Sequence, residues 1–281
     1  MVPCLIPLQV SNFRMRISTD TATAKQRVNP LKPMEDSIIS NPDIGLFGIC
    51  DGGTRVPFDG SPYPNPSPAA EGSRLFAETV LTAFERGMSP TKENLCEALA
   101  LANQELGKLR TILVPEVNYY ENDLIEVSGV FGLVCGSSLY VASLGDSPGY
   151  LFRSTGEVLD LNTSMTAKVM PLVEEWSKSI GLWEARIKIR KSIRNRPEAP
   201  ERFGIFTGEE ICLQLLECRE FQLRAGDTVL ITSDGIPPEV ARTLHANSAQ
   251  EIIRAAEAAV DIANGAIKED DKAVIKISVK L

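Results

Sequence analysis

The chain has 281 residues, 43% hydrophobic and 23% charged, the make-up of an ordinary globular protein with apolar material for one large or two modest cores. Its formal net charge of −8 excludes a sequence-blind nucleic-acid binder, which needs clustered Lys and Arg to neutralise phosphates. Cys4, Cys50, Cys96, Cys135, Cys212 and Cys218 form no CxxC pair and His245 is the sole histidine, so a disulfide framework, a zinc site and a Ser-His-Asp triad have little to build on, and reduced core thiols are expected.

The start, "MVPCLIPLQVSNFRMR", has no basic n-region before its apolar part and no small-residue cleavage site, so no signal peptide is expected and a cytoplasmic location is. Strands are expected at "SIISN" and "IGLFGIC", joined by a turn over 41–45. After the Pro-rich "VPFDGSPYPNPSP" come two helical patterns. Leu75, Phe76, Thr79, Val80, Ala83 and Phe84 carry the first; Leu95, Ala98, Leu99, Ala102, Leu106 and Leu109 carry the second, with Ser89-Pro90 as its expected N-cap and first residue.

"EVSGVFGLVC", "SLYVASLG" and "GYLFR" read as an antiparallel meander, because the links are too short for helical crossovers. The uncharged run 127–145 is nominally long enough to cross a bilayer, but it is broken by Gly and Ser and is expected to be two buried strands meeting at Gly136-Ser137. Between 160 and 210 a helix is expected around "TAKVMPLVEEWSKSIG", then a solvated strand or loop in the one basic segment, "RIKIRKSIRNR" at 186–196. The order then becomes regular: strand "ECREFQLR", turn 225–227, buried strand "TVLITSD", a short helix from Pro237, a helix opened by the capping box Ser248-x-x-Glu251, and a last strand "KAVIKISVK". Strand pairs alternating with helix pairs imply an α+β fold in which stacked antiparallel sheets are flanked by helices, and the absence of a long linker favours one domain over 1–281.

Three of these apolar strands deliver an aspartate at or just past their end: Asp51 in "GLFGICDGG", Asp146 in "SLYVASLGDS" and Asp234 in "DTVLITSDGI". Glu35 and Asp36 open "SIIS", and Asp271 starts the final strand. Strand ends in a sandwich converge on a rim, where gathered carboxylates repel one another unless a cation neutralises them. Oxygen-only ligands favour Mg²⁺ or Mn²⁺. Gly52, without a Cβ, lets its own carbonyl approach such an ion. The plain alternative is that each Asp-Gly is a turn after a strand; its recurrence beside Glu35-Asp36 favours the metal reading.

Taken together, "PMEDSII", "FGICDGG", "SGVFGLVCGSSLYVASLGDSPGYLFR", "LRAGDTVLITSDGI" and "EDDKAVIKISV" resemble, in order and approximate spacing, the metal-dependent serine/threonine protein phosphatases of type 2C (PPM) from about residue 12 to 280. The resemblance implies a four-layer α/β/β/α sandwich, with a variable flap-like insertion around 160–210. It implies a two-metal centre in which Asp51 bridges the ions, the Gly52 carbonyl binds one, and Asp234 and Asp271 complete the other. Glu35 and Asp36 resemble the acidic pair that holds metal-bound water, and Asp146 the aspartate near a third, weaker ion. Two ions about 4 Å apart would activate water for in-line attack on a phosphoprotein substrate, with Asp51, Asp234, Asp36 and Glu35 as the catalytic set.

Three departures from the family pattern mark the chain. The arginine that usually precedes the acidic pair is missing from "QRVNPLKPMED", so Arg27, Lys32 and, beyond the first Asp-Gly, Arg55 are the candidate phosphate contacts. Asp271 is followed by Lys272 where the family has Asn, which leaves Asp270 as an alternative ligand. The segment 160–210 lacks the usual acid-and-histidine pattern. These departures keep two other readings open: a weakly active or inactive homologue serving as a binding or regulatory module, and a hydrolase of small phosphomonoesters.

Overall fold

The structure of the chain, a computed structural model, describes residues 16–53, 62–119, 123–263 and 269–280. Its strands are β1 (Arg16–Ala24), β2 (Asp36–Asn41), β3 (Leu46–Gly52), β4 (Val127–Cys135), β5 (Ser138–Leu144), β6 (Gly149–Phe152), β7 (Val158–Asp160), β8 (Glu217–Gln222), β9 (Thr228–Thr232) and β10 (Lys272–Lys280). Its helices are α1 (Pro68–Glu85), α2 (Lys92–Leu113), α3 (Thr166–Ile180), α4 (Leu182–Ser192), α5 (Pro238–Thr243) and α6 (Ala249–Ala263). One five-stranded sheet runs β2-β3-β4-β5-β8 and the other β1-β10-β9-β6-β7, with antiparallel neighbours throughout.

The layers follow from the two-residue period of a strand. Phe47, Ile49 and Val130 of the first sheet face Leu151, Val229, Ile231 and Ile275 of the second across the central core. The alternate residues Leu46, Cys50, Phe131 and Leu133 turn outward onto Phe76 and Val80 of α1 and Leu99 and Leu106 of α2. On the far side Leu230 and Val274 pack under Ile252, Ile253 and Ala256 of α6. Each such large apolar side chain contributes about 1.5–3 kcal/mol on leaving water. The expected four-layer sandwich is therefore what the chain forms. Among the described residues no helix is long and apolar enough to cross a membrane, and the run 127–145 is the β4–β5 hairpin, turning at Gly136 with φ +61°.

Several local expectations are corrected. β1, "RISTDTATA", was not foreseen: it is a polar edge strand that pairs with β10 along its whole length, and its face is only half-buried. β6 does not extend the meander but crosses to the second sheet, where it pairs with β7 and β9. The crossing is held by the buried Asn162 amide, which accepts from Gly149 N at 2.9 Å and donates to the Ser147 carbonyl at 2.9 Å, while Thr232 N donates to the Pro148 carbonyl. The cap of α2 is Thr91, whose hydroxyl accepts from Asn94 N at 3.2 Å; Ser89 and Pro90 stay outside the helix. The box at α6 forms as expected, with Glu251 Oε2 accepting from Ser248 N and Ser248 Oγ accepting from Glu251 N.

The largest correction concerns the basic segment: its residues 186–192 lie in the helix α4, and 193–196 follow the helix end. Its alternating Ile and Lys/Arg imitate a strand, but Ala185, Ile189 and Ile193 recur every fourth residue and close onto Val169 and Val173 of α3 and onto Phe203 and Ile205. This α3–α4 hairpin has its own small core.

Candidate metal centre and its cleft

Asp36 opens β2 directly opposite Asp51 of β3. Facing residues in an antiparallel pair have Cβ atoms roughly 4.5–5.5 Å apart, so their carboxylates repel. Asp36 is buried, and its Oδ2 has no hydrogen-bond partner among the described residues. Burial pushes its carboxyl well above the usual carboxylate range; a hydrogen bond with Ser233 opposes this, and the charges of Asp234, Asp271 and Asp270 add to it. Asp51 is raised in the same direction, by burial first and then by Asp234, Asp36, Asp146 and Asp270.

These acids come together because the strand ends share a rim. Asp51, Gly52, Asp146, Asp234 and Asp270 line a cleft of about 250 Å³, with Gly53, Glu126 and Ser128 beside them. The two Asp-Gly pairs have a packing reason besides any ligand. A Cβ on Gly52 would come within 2.6 Å of the Ala69 carbonyl at the start of α1, and one on Gly235 within 2.0 Å of the Asp271 carbonyl. Glycine lets the backbones cross there, and this crossing brings the loop after β9 against the start of β10.

Asp271 stands elsewhere than expected. Its two oxygens accept from Gln26 N and Glu35 N, each at 2.8 Å, and it is only 2% exposed. It joins β10 to the segment before β2, and its neighbour Asp270 lines the cleft in its place. Glu35 is likewise a buried brace: Ser67 Oγ at 2.6 Å and the Tyr63 hydroxyl donate to Oε1, and Lys32 pairs with Oε2 at 3.2 Å. Ser67 also caps α1, so this one hydroxyl ties the helix start to the site.

The expected phosphate contacts are displaced too. Lys32 is buried among Glu35, Asp270 and Asp271, which together outweigh the cost of its burial and hold its ammonium above the ordinary lysine range. With three carboxylates around it and no place in the cleft lining, it serves the scaffold. Arg27 is spent on Asp261 at 2.8 Å and Glu269 at 2.9 Å on the surface. Arg55 and its neighbour Thr54 lie outside the described residues.

The cleft is instead walled by α3 and α4, from which Thr166, Val173, Arg186, Ile189 and Arg190 face it. Arg186 and Arg190 share one helix face, four residues apart. Arg190 is held by Asp123 at 3.0 Å, whereas Arg186 is exposed and in no ion pair among the described residues. The buried Arg194, bonded to Asp123 and Glu126, anchors the end of α4 to the segment entering β4. Arg186 and Arg190 were missed because the basic segment reads as a strand; the Ala185/Ile189/Ile193 spacing was the available signal.

The donor set suits a hard cation. It offers carboxylate oxygens from Asp51, Asp146, Asp234 and Asp270 and a backbone carbonyl at Gly52, with one buried carboxylate oxygen of Asp36 unpaired behind them. Among the described residues no group of three or more His, Cys, Asp or Glu side chains stands ready to hold an ion by itself.

No protein-family model and no curated protein matches the chain. Solved structures do. The catalytic domain of the serine/threonine protein phosphatase PstP, with two manganese ions, is 20% identical with a TM-score of 0.65, over 95% of this chain and 100% of that one. The PPM Ser-Thr phosphatase MsPP from Mycobacterium smegmatis, with cacodylate, is 19% identical with a TM-score of 0.59, over 93% and 97%. RsbX with magnesium is 14% identical with a TM-score of 0.55, over 94% and 96%. The chain has the fold of the PPM phosphatases.

Proposed function

We propose that this chain is a metal-dependent phosphatase of the type 2C (PPM) family, one domain over 1–281, that releases phosphate from phosphoserine and phosphothreonine in proteins. The observation that carries this reading is the convergence of four strand-end acids and the Gly52 carbonyl on one cleft, within a fold whose solved examples include a serine/threonine protein phosphatase with two manganese ions and RsbX with magnesium. Asp51, the Gly52 carbonyl, Asp234 and Asp270 would hold two Mg²⁺ or Mn²⁺ ions, and Asp146 a weaker third. Bound ions supply a water acidified toward neutral pH and charge stabilisation for in-line displacement at phosphorus.

The remaining work falls to the chain. Arg186, which lines the same cleft as the acids and is in no ion pair among the described residues, grips the phosphate oxygens with a planar fork, the role foreseen for Arg27, Lys32 or Arg55. Arg190, tethered to Asp123, keeps that helix face turned to the cleft. Lys32 ties Asp270 to Glu35 and Asp271, and the Glu35 N–H to Asp271 bond joins the start of β10 to that of β2, so that Asp270 is held at the rim beside the other acids.

Phosphate release from phosphothreonine peptides and from p-nitrophenyl phosphate, each with Mn²⁺, Mg²⁺ or EDTA, tests the reading. Turnover of the peptides with metal alone is expected. Turnover in EDTA would overturn the mechanism, turnover of the small ester only would favour the phosphomonoesterase reading, and peptide binding without turnover the binding module.

A further inference from the structure

Cys96 lies at the beginning of α2 and Cys218 on β8, an edge strand of the first sheet, where it pairs with Ala142 of β5. The two are 122 positions apart in sequence, yet their sulfurs stand 2.9 Å from each other. Both are half-buried, so a small reagent reaches them, whereas Cys50 and Cys212 are sealed in the core. This differs from the expectation of core thiols alone. Neither member of the pair lines the acidic cleft, so the inference stands apart from the proposed reaction.

We infer that Cys96 and Cys218 form a dithiol exchange site, which takes low-molecular-weight disulfides of the glutathione type and closes to an internal disulfide joining α2 to β8. The thiolate of Cys96 attacks one sulfur of the small disulfide; an S–S bond to the reagent forms and one thiolate leaves. Cys218 then loses its proton and attacks the Cys96 sulfur, expelling the second thiolate. The protein gives up two protons and two electrons, and the small disulfide is reduced to two thiols.

The order of attack follows from acidity. With Cys218 as the donor between the two sulfurs, that hydrogen bond, opposed by burial and helped by the charge of Lys92, brings the Cys96 thiol down to about 7. Giving that bond and being buried push Cys218 far up. Closure to the S–S bond length of about 2.05 Å requires a movement of under about 1 Å between the sulfurs.

The test equilibrates the full chain with oxidised and reduced glutathione in varied ratio, blocks free thiols with iodoacetamide, and maps peptides by mass spectrometry. With oxidised glutathione in excess, a Cys96–Cys218 cross-link is expected that dithiothreitol reverses. In Cys218→Ser, whose hydroxyl keeps a donor beside Cys96, a mixed disulfide trapped on Cys96 is expected. If both thiols are fully alkylated while the exposed Cys135 becomes glutathionylated, the reagent was active and the inference is overturned. Cys96 left unmodified in Cys218→Ser would equally overturn it.

Discussion

Asp51 in the cleft sits in an interior strand bonded on both edges, while Arg186 on the cleft wall rides an 11-residue helix that packs with α3 and the chain around Phe203 in a small core. The strand ends gather like charges that resist ionisation together, and rigidity is what keeps them from separating. The wall carries charge at the surface, where one cation is tethered and the other is not. In the proposed reaction, chemistry that needs fixed ligands thus falls where the sheets are deepest, and recognition where a helix can adapt to a substrate.

The strongest way to break this comparison is at the strand ends. Asp51→Asn is expected to lower kcat/KM for a phosphothreonine peptide by more than about 100-fold, beyond the 10–100-fold typical of residues behind a metal ligand. The same change should raise the melting temperature in EDTA, because it removes a repelled carboxylate; calorimetry with and without Mn²⁺ reads both signs. A fall in stability in EDTA would show that the acids are not strained against each other.

The scaffold around the strand ends comes next. Lys32→Met leaves Glu35, Asp270 and Asp271 without their shared cation and is expected to cost about 3 kcal/mol in urea unfolding, the lower range for a broken buried pair. Comparing Asp270→Asn with Asp271→Asn sharpens the assignment: the first should weaken Mn²⁺ binding by calorimetric titration, the second mainly stability.

At the wall a smaller effect is expected. Arg186→Ala should raise KM for the peptide roughly tenfold, about 1.4 kcal/mol, the lower side for a hydrogen bond to a charged group, with kcat less affected. Arg186→Lys should recover only part of it, and Arg27→Ala should stay within about twofold of the parent, since surface pairs contribute about 0–1 kcal/mol.

The smallest effect is on pH. Because Asp36 and Asp51 bind their protons more tightly folded than unfolded, stability in EDTA is full below the ordinary carboxylate range, near pH 4, and falls as pH rises through their raised folded values. Added Mn²⁺ should therefore stabilise more at pH 7 than at pH 5. Thermal melts across this range check the slope, and an acid-side loss of stability assigned to these two groups would contradict it.

Much of this was legible without coordinates. Apolar runs bounded by turn residues disclosed β3, β4, β5 and β9, helical spacing disclosed α1, α2 and α6, and apolar strands ending in aspartate disclosed Asp51, Asp146 and Asp234. Such signals are local: each is written within a dozen residues, and backbone geometry converts them directly into a face or an end.

Other features depended on contacts between distant segments. β1 has almost no apolar pattern and exists because β10 lies beside it. The strand-like alternation of 186–190 yields to helix because α3 and Phe203 cover a fourfold stripe. Neighbouring residues in an extended chain face opposite ways, so one backbone hydrogen bond to Gln26 and one to Glu35 suffice to decide that Asp271 braces the fold while Asp270 faces the cleft. The chain's own order thus determined which residue types reach the rim, and only the packing of sheet on sheet and helix on helix decided which individual side chains turn into it.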